Sequence, residues 1–474
     1  MIRARTTFTG LGVRAWMGPS GARTRYRFIC YNADMLRRRT KIICTIGPAC
    51  DSPEKMRALI RSGMNVARLN FSHGTHASHA TLVKRLRAAA KAEHKTLTIL
   101  QDLQGPKIRV GDLPEAGLRL AKGDALILTT KKVPYDAKRQ LVTVSYAGMH
   151  KDLKSGDRLL LDDGLLELSV QKITDHEIQT RVEVGGILYS HKGVNAPTAT
   201  LHVDAMTQKD KDDLAFGLTL DVDWVALSFV TSAAQVLKLK RMIHGLWKKE
   251  ASEPKVIVKV EKHEAIEYFD TILAATDGIM VARGDLGIET APTRVPIEQK
   301  VMIAKCREAG KPVVVATQML DSMIRNPRAT RAEISDIANA VIDHTDATML
   351  SGETASGKYP IESVKTMAET IAVTEESIFD NTALPSEEKK SPLAMRAENA
   401  LRLAMESKSV MLVVATDMGE KARIVASLHQ EIPVIAATTS DHLARQLNLS
   451  WGIEPLVVAN LKPATIMHAL HAQK

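Results

Sequence analysis

A lysine, a glutamate and an aspartate stand at the ends of two consecutive apolar runs in the middle of the chain. In VIVKVE, the two-residue repeat of a strand puts Lys259 and Glu261 on one face with Ile257. Asp285 follows the next run, within GIMVARGDLGIE. Two such acids would repel each other unless a dication lay between them, and oxygen ligands are typical of Mg2+ bound to a phosphate substrate. The pattern predicts a divalent-metal site; a Lys259–Glu261 ion pair that only stabilises the fold is the alternative.

Further polar side chains follow two earlier apolar runs: Arg68, Asn70, Ser72, His73, Asp102 and Arg109. Guanidinium groups fit phosphoryl oxygens, so Arg68 and Arg109 with Lys259 could clamp a polyanion. Phosphoryl transfer needs charge neutralisation and alignment more than a covalent nucleophile, and the sequence shows no pattern of an activated Ser or Cys. We therefore expect phosphoryl transfer. His73 has no second histidine nearby, which favours a hydrogen-bonded structural role over metal ligation.

Glycines and further polar groups lie at the ends of three apolar runs in the second half of the barrel sequence, GIMVARGD, VVVATQ and ATMLSGE. Gly284 and Gly287 flank Asp285 and would let the backbone approach an anion at a helix start. VVVATQM adds Thr317, and ATMLSGE adds Ser351 and Glu353. These groups could orient a carboxylate or relay a proton, although either hydroxyl could instead cap backbone groups.

Eight short apolar runs carry these residues: TKIICTI, VARLNF, LTILQDL, DWVALSF, VIVKVE, GIMVARGD, VVVATQ and ATMLSGE. Most are separated by stretches with apolar residues three and four apart, such as EKMRALIRSG, which predict amphipathic helices. Such an alternation predicts an α/β fold, a (β/α)8 TIM barrel, whose catalytic groups lie at the carboxyl ends of the strands.

The periodicity changes twice along the chain. Alternating runs such as DALILTT and RLLLDDG replace the helical spacing at 105–202, which predicts an inserted small β-barrel lid domain. The barrel then comprises 38–104 and 203–380. A charged stretch with two prolines leads into 381–474, a C-terminal α/β domain that we expect to be shortened.

The basic charge is concentrated at the start of the chain. The 474 residues carry a formal charge of +10, and residues 1–39 hold nine arginines against one acid, Asp34. Residues 1–37 lack hydrophobic periodicity, so we expect a disordered arginine-rich extension and a nearly neutral body without nucleic-acid binding. The four cysteines form no CxxC pair and suit a reducing compartment, and no apolar stretch approaches a membrane span. We expect a cytoplasmic protein.

Several longer strings of this chain resemble the pyruvate kinase family from about Arg38 to Pro455. They are TKIICTIGPA, NVARLNFSHGTH, DLQGPKIRVG, KGVN, KVEKHEAI, MVARGDLGIE, ATQML, NPRATRAEISDIANAV and MLSGETASGKYP. The resemblance implies phosphoryl transfer from phosphoenolpyruvate to ADP, followed by protonation of the enolate to pyruvate. It also implies a lid that closes over the barrel and a homotetramer.

The resemblance further implies a role for individual residues. Mg2+ or Mn2+ would be held by Glu261 and Asp285. Lys259 would stabilise the phosphoryl group in flight and Arg68 would bind the phosphate of phosphoenolpyruvate. The remaining roles fall on three groups: Gly284, Asp285 and Thr317 at the substrate carboxylate; Asn70, His73, Arg109 and Lys192 at the nucleotide; Thr317, Ser351 and Glu353 on the proton relay.

This chain departs from the family pattern at two places in its strings. Lys107 in GPKIR replaces a glutamate found in members that require potassium, and a lysine there goes with independence from K+. Its ammonium would replace the ion at the monovalent site implied for Asn70, Ser72, Asp102 and the Leu103 carbonyl. The loop TDMGEKA, with Met418 and Lys421, has lost hydroxyl donors for a sugar-phosphate effector.

Two other functions remain open. A metal-dependent aldolase or lyase acting on pyruvate or phosphoenolpyruvate would share the barrel, the metal and the enolate chemistry. A catalytically degraded regulatory relative would keep the fold alone. Assay with phosphoenolpyruvate, ADP and Mg2+ separates these functions from the expected kinase.

Overall fold

The computed structural model describes residues 38–380, 392–407 and 409–472. The predicted arginine-rich extension at 1–37 and the stretch 381–391 lie outside the described residues. Within the described ranges, no helix is both long and apolar enough to cross a membrane.

The strands of the described chain are, in order, β1 (Lys41–Thr45), β2 (Val66–Asn70), β3 (Thr98–Asp102), β4 (Leu118–Leu120), β5 (Ala125–Thr129), β6 (Leu141–Thr143), β7 (Arg158–Leu161), β8 (Leu166–Thr174), β9 (Glu177–Val184), β10 (Gly186–Leu188), β11 (Val194–Asn195), β12 (Trp224–Leu227), β13 (Lys255–Val260), β14 (Gly278–Ala282), β15 (Val313–Ala316), β16 (Ala347–Leu350), β17 (Leu412–Ala415), β18 (Val434–Thr438) and β19 (Ile453–Val457).

The α-helices are α1 (Pro53–Ser62), α2 (His76–Ala92), α3 (Met149–Asp152), α4 (Gln208–Thr219), α5 (Ala233–Leu246), α6 (His263–Glu267), α7 (Phe269–Ala275), α8 (Arg283–Glu289), α9 (Val295–Glu308), α10 (Arg331–Ile342), α11 (Gly352–Ala355), α12 (Pro360–Glu375), α13 (Pro392–Glu406), α14 (Glu420–Ser427), α15 (Asp441–Leu447) and α16 (Pro463–Ala472), with short 3-10 helices at Asp321–Ile324 and Ile378–Asp380.

Eight parallel strands close into a barrel in the order β1-β16-β15-β14-β13-β12-β3-β2. The two-residue repeat explains how the barrel is filled, because Val66, Leu100 and Ile257 belong to one buried interior cluster. The residues two positions later on the same strands are Arg68, Asp102 and Lys259, so the polar groups lie above an apolar floor at the carboxyl ends. The predicted (β/α)8 barrel is confirmed.

The barrel helices begin and end where the sequence supplies capping groups. Ser52 accepts a hydrogen bond from the backbone N–H of Lys55 and Pro53 occupies the first turn of α1, while Gly63 at its end has φ 123°. Thr330 forms a capping box with Glu333 at the start of α10. These local signals set the helix lengths between strands and so the places where the strand-end loops emerge.

Between β3 and α4 the chain forms strands β4–β11 and the short helix α3. Six of these strands make a curled sheet in the order β11-β7-β8-β9-β5-β6, and β10 pairs with β4. Alternating apolar residues such as Leu126, Leu168 and Val182 face a separate core. The predicted β lid is confirmed as part of this architecture.

A C-terminal α/β unit contains the parallel sheet β17-β18-β19, as predicted. Its helix α15 lies against the amino-terminal end of the barrel: the Trp224 indole N–H donates to the Gln446 carbonyl at 3.1 Å. Arg445 pairs with Asp223 at 2.6 Å, and Leu449 belongs to the cluster that fills the barrel interior. The C-terminal unit therefore closes the barrel end opposite the polar groups.

Candidate active site

Side chains from four strands, β1, β2, β3 and β13, meet at the carboxyl end of the barrel. Arg68 Nε donates to Asp102 Oδ2 at 2.6 Å, and Arg68 Nη1 donates to Thr45 Oγ1 at 2.9 Å. Lys259 Nζ lies 3.6 Å from Asp102 Oδ1. Burial alone would raise the pKa of Asp102, but Lys259 and Arg68 outweigh it and hold this pKa below its usual value. Two cations therefore share one buried carboxylate and face the barrel mouth.

Lys259 is fixed by three hydrogen-bonding or ionic partners. Its ammonium lies 2.8 Å from Glu261 Oε1 and donates to Ser228 Oγ at 3.0 Å. The Ser228 hydroxyl in turn donates to the Leu103 carbonyl at 2.8 Å. Burial would lower the pKa of Lys259, but Asp102 and Glu261 raise it to about 12. Lys259 is thus a permanent cation in a defined position, suited to electrostatic work.

Glu261 is a buried carboxylate with a raised pKa. It is 1% exposed and accepts the Phe229 backbone N–H at 2.7 Å. Burial, with a smaller contribution from Asp285, raises the pKa of Glu261 to about 7 against the opposing effect of Lys259. A buried carboxylate whose ionised form is disfavoured and a second acid beside it fit a divalent cation. Among the described residues, no group of three or more His, Cys, Asp or Glu is arranged to hold a metal ion. A metal held by Glu261 and Asp285 would leave coordination positions for substrate and water.

The turn after β15 lies against the start of α8. Thr317 has φ 72° and Gln318 has φ 55°, both in the left-handed region. The Gly284 backbone N–H donates to Thr317 Oγ1 at 3.0 Å, and the Thr317 hydroxyl donates to the Ala316 carbonyl at 2.5 Å. The hydroxyl therefore does contact backbone groups, the alternative that the sequence left open, while its position beside Gly284 keeps it at the cleft.

Lid and barrel residues line one cleft of about 570 Å³. Its lining includes Gly284, Asp285 and Thr317 from the barrel and Asp163 from the lid. The predicted carboxylate-binding residues are thus brought together.

Glu353 is 2% exposed and serves the backbone of two loops. Its Oε2 accepts the Ser351 N–H at 2.7 Å, and its Oε1 accepts the Leu320 N–H at 3.1 Å. Burial raises the pKa of Glu353. These bonds tie the end of β16 to the loop after β15, and Glu353 acts there as a structural acceptor.

The loop after β2 presents the predicted nucleotide residues Asn70 and His73. Asn70 Oδ1 accepts the Ser72 backbone N–H at 3.1 Å. His73 is exposed, and its carbonyl lies 2.9 Å from His79 Nε2. The loop is therefore held through its backbone, with the His73 ring left at the surface.

The other two predicted nucleotide residues lie side by side in the lid. Arg109 pairs with Gly193 in a β-bridge, and Arg109 Nη1 donates to the His191 carbonyl at 2.9 Å. Lys192 Nζ lies 2.8 Å from Asp162 Oδ1, and this hydrogen bond raises the pKa of Lys192. The two cations thus stand on neighbouring, antiparallel segments of the lid.

Lys107 lies at the boundary of barrel and lid. Its ammonium is 3.6 Å from Asp285 Oδ1 and 3.5 Å from Asp163 Oδ1. Across the described ranges, the ion-pair partners of Asp102 are Arg68 and Lys259. The structure thus brings Lys107 to the predicted metal ligand Asp285, and within the described residues its ammonium makes no ion pair with Asp102 of the predicted monovalent site.

The prediction of site residues omitted several groups that hold the site. Ser228 lies near the end of the run DWVALSF and Thr45 near the end of TKIICTI, so their strand-end positions were the available signal. Asp163 carried no signal, because its role depends on which loops meet. Arg283 donates to the Thr317 carbonyl at 2.7 Å and pairs with Asp336 at 2.7 Å; its place beside Asp285 was the only indication.

Family comparisons agree with this geometry. The model described as "Pyruvate kinase, barrel domain" matches residues 37–364, and "Pyruvate kinase, alpha/beta domain" matches residues 396–472. The chain belongs to the pyruvate kinase family. The family is one of phosphotransferases that generally need a divalent metal such as Mg2+.

Individual relatives show how much of the chain is shared. Pyruvate kinase 2 of Synechocystis sp. is 45% identical over 434 residues, covering 91% of this chain and 72% of that protein. The Clostridium acetobutylicum pyruvate kinase is 42% identical over 427 residues, covering 89% of each. A solved pyruvate kinase structure from Cryptosporidium parvum matches with a TM-score of 0.88 and 37% identity, covering 93% of this chain and 92% of that one.

Proposed function

We propose that this chain transfers the phosphoryl group of phosphoenolpyruvate to ADP and protonates the resulting enolate, giving pyruvate and ATP. The observation that carries the proposal is the position of Lys259, fixed between Asp102 and Glu261 beside Arg68. Family membership supplies the substrates, and this arrangement supplies the chemistry. It neutralises charge on a phosphoryl group without a covalent nucleophile.

Arg68 and Lys259 would act on the phosphoryl group. Asp102 and Thr45 orient the Arg68 guanidinium through Nε and Nη1, and Nη2 would bind phosphoryl oxygens. Lys259, with its pKa raised to about 12, stays charged throughout. Its ammonium would stabilise the charge that develops on the phosphoryl oxygens during transfer.

Glu261 and Asp285 would hold the divalent metal, Mg2+ or Mn2+. Bound there, the metal would supply Lewis-acid stabilisation of phosphoryl and enolate oxygens. What supports this pair is the rise in the pKa of Glu261, in which Asp285 takes part. Lys107, now 3.6 Å from Asp285, is the neighbouring cation with which a metal would compete.

Gly284, Asp285 and Thr317 would position the carboxylate end of phosphoenolpyruvate. The Gly284 N–H and the Thr317 hydroxyl now bond each other, and both face the cleft. In the proton relay, the Thr317 hydroxyl would hold or pass the proton, and the Ser351 hydroxyl would be the next group of the relay. Glu353 would fix the loops after β15 and β16 through its contacts with the Leu320 and Ser351 N–H groups.

Asn70, His73, Arg109 and Lys192 would bind ADP. The first two come from the loop after β2 and the others from the lid, so closure of the lid would bring them together over the nucleotide. Lys192 would exchange its present partner, Asp162, for phosphate oxygens.

We further propose that K+ is not required, because Lys107 supplies a built-in cation at the cleft. Asn70, Ser72, Asp102 and Leu103 would otherwise form the monovalent site. In support, two of these groups already have partners: Asn70 accepts the Ser72 N–H, and the Leu103 carbonyl accepts the Ser228 hydroxyl.

The proposal extends to a homotetramer in the cytoplasm without nucleic-acid partners; the buried free thiols Cys44, Cys50 and Cys306 suit a reducing compartment.

A coupled assay with lactate dehydrogenase tests the function. We expect pyruvate formation that requires phosphoenolpyruvate, ADP and Mg2+ together, and rates in tetramethylammonium buffer within about twofold of those in K+. Pyruvate release without ADP would instead indicate a lyase, and no turnover would indicate a degraded relative. Strong activation by K+ would contradict only the proposed role of Lys107 and would leave the kinase function in place.

A further inference from the structure

Helix α4 begins directly after the chain returns from the lid to the barrel, and its first turn contacts two active-site loops. We infer that this turn is a brace that positions the nucleotide end of the site, with Lys209 and Asp210 as its positioning residues. The inference rests on the proposed function, since it concerns how the same site holds ADP.

Lys209 fixes the loop after β2 through the backbone. Its ammonium donates to the Phe71 carbonyl at 2.6 Å and to Asp213 Oδ2 at 2.5 Å. Asp213 also lies 2.8 Å from His76 Nε2, at the start of α2. Phe71 stands between Asn70 and Ser72, so one lysine controls the backbone from which the predicted nucleotide residues project.

The same loop is held from its other side by stacking. The Phe71 ring, 2% exposed, stacks on the His79 ring with centroids 4.0 Å apart. His79 Nε2 lies 2.9 Å from the His73 carbonyl. The stacking and the His79 contact hold the Phe71 ring and the His73 carbonyl. The Lys209 ammonium adds a third contact, at the Phe71 carbonyl, and so restrains the backbone of this loop.

Asp210 ties together the two connections between barrel and lid. It is fully buried; its Oδ1 accepts the Gly105 N–H at 3.0 Å, and its Oδ2 accepts the Thr207 N–H at 2.8 Å. Gly105 lies on the outgoing connection and Thr207 on the returning one. Gly105 has φ 71°, and a Cβ there would lie 2.9 Å from Phe229 Cδ2, so this connection has one conformation that the carboxylate fixes.

One helical turn thus holds the position of two segments: the end of β2 and its loop, which carry Asn70 and His73, and the connection that leads to Arg109. The groups proposed for phosphoenolpyruvate and metal lie elsewhere, on strand ends and on the loops after β14 and β15. A loosened brace should therefore weaken the site for ADP more than for phosphoenolpyruvate.

The test compares Lys209→Met with Lys211→Met, which removes the same charge from the same helix. In the described ranges the Lys211 ammonium makes no hydrogen bond or ion pair, and only its backbone N–H donates, to the Thr207 carbonyl. We expect Lys209→Met to raise the KM for ADP about five- to tenfold, with the KM for phosphoenolpyruvate and the Tm nearly unchanged. Lys209→Arg should restore most of the loss, and Lys211→Met should match wild type.

A second readout follows the Asp210 contact directly. In Asp210→Asn, amide hydrogen exchange of the peptide around Gly105 should accelerate, whereas Asp212→Asn on the exposed side of the same helix should leave it unchanged. Equal rises in both KM values for Lys209→Met, or no rise in either, would overturn the brace. Wild-type protein without turnover would instead contradict the proposed function.

Discussion

At the scale of single residues, Lys259 has the clearest chemical assignment. Its ammonium lies 2.8 Å from Glu261 and 3.6 Å from Asp102, and its pKa is raised to about 12. Replacement by methionine keeps the length of the side chain and removes the charge. We expect Lys259→Met to lower phosphoryl transfer at least ~10³-fold, because the developing charge loses its fixed cation.

Exchange of the pyruvate methyl protons, measured by NMR in the presence of Mg2+, should fall much less in Lys259→Met, because the metal alone can stabilise the enolate. The control is Lys255→Met, which removes a lysine from the other end of β13 and should retain both activities. Equal loss of transfer and exchange in Lys259→Met would refute this division of roles.

At the scale of elements, the start of α8 and the turn after β15 act as one unit. Arg283 Nη2 donates to the Thr317 carbonyl at 2.7 Å, and its guanidinium pairs with Asp336 on α10 at 2.7 Å. Thr317 and Gln318 need this anchor because both hold a left-handed backbone, which is costly for non-glycine residues. We expect Arg283→Met to lower kcat/KM for phosphoenolpyruvate about 10²-fold through misplacement of Thr317.

A steady-state assay of Arg283→Met should be paired with its Tm, since a loss of activity at an unchanged Tm identifies local misplacement. Arg294→Met is the matched control, because Arg294 is 73% exposed and pairs with Glu298 one turn away. Wild-type kcat/KM in Arg283→Met would show that the turn keeps its conformation without this anchor.

At the scale of the whole molecule, a buried histidine lies where the C-terminal unit meets the barrel. The His429 ring is 4.4 Å from the Trp451 ring and 5.4 Å from the His344 ring, measured between centroids. Burial lowers the pKa of His429 well below its usual value, and the neighbouring groups Arg307, His344 and Arg39 lower it further. The folded protein therefore holds His429 neutral.

The unfolded chain protonates this histidine below a pKa of about 6.5, whereas the folded chain does not. The free energy of unfolding is therefore unaffected by His429 above that pH and decreases as the pH falls below it. The loss is about 1.4 kcal/mol per pH unit until the depressed folded pKa is reached. His429→Phe keeps a ring against Trp451 and removes the titration. We expect its Tm to fall by about 1–2 °C less than that of wild type between pH 7.5 and 5.5, as measured by calorimetry. Parallel Tm profiles for the two proteins would contradict this.

Much of the fold and part of the site followed from local patterns. The two-residue repeat predicted that Lys259 and Glu261 share a face, and eight alternating units predicted the barrel that now holds them. Glu353 shows what such patterns leave out: its place on the proton relay stays a prediction, and its contacts with the N–H groups of Ser351 and Leu320 were not predicted. Which loop a buried carboxylate meets depends on packing between segments far apart in sequence.

By itself the sequence determined the class of fold, the family strings and the face on which each strand presents its polar residue, because these depend on periodicity and residue type along one segment. Only the tertiary structure decided that Arg68 and Lys259 share Asp102, that Lys107 lies at Asp285, and that α4 reaches Phe71 and Gly105. These contacts join distant segments, and their distances are set by closure of the barrel and by the return of the lid, which no local pattern encodes.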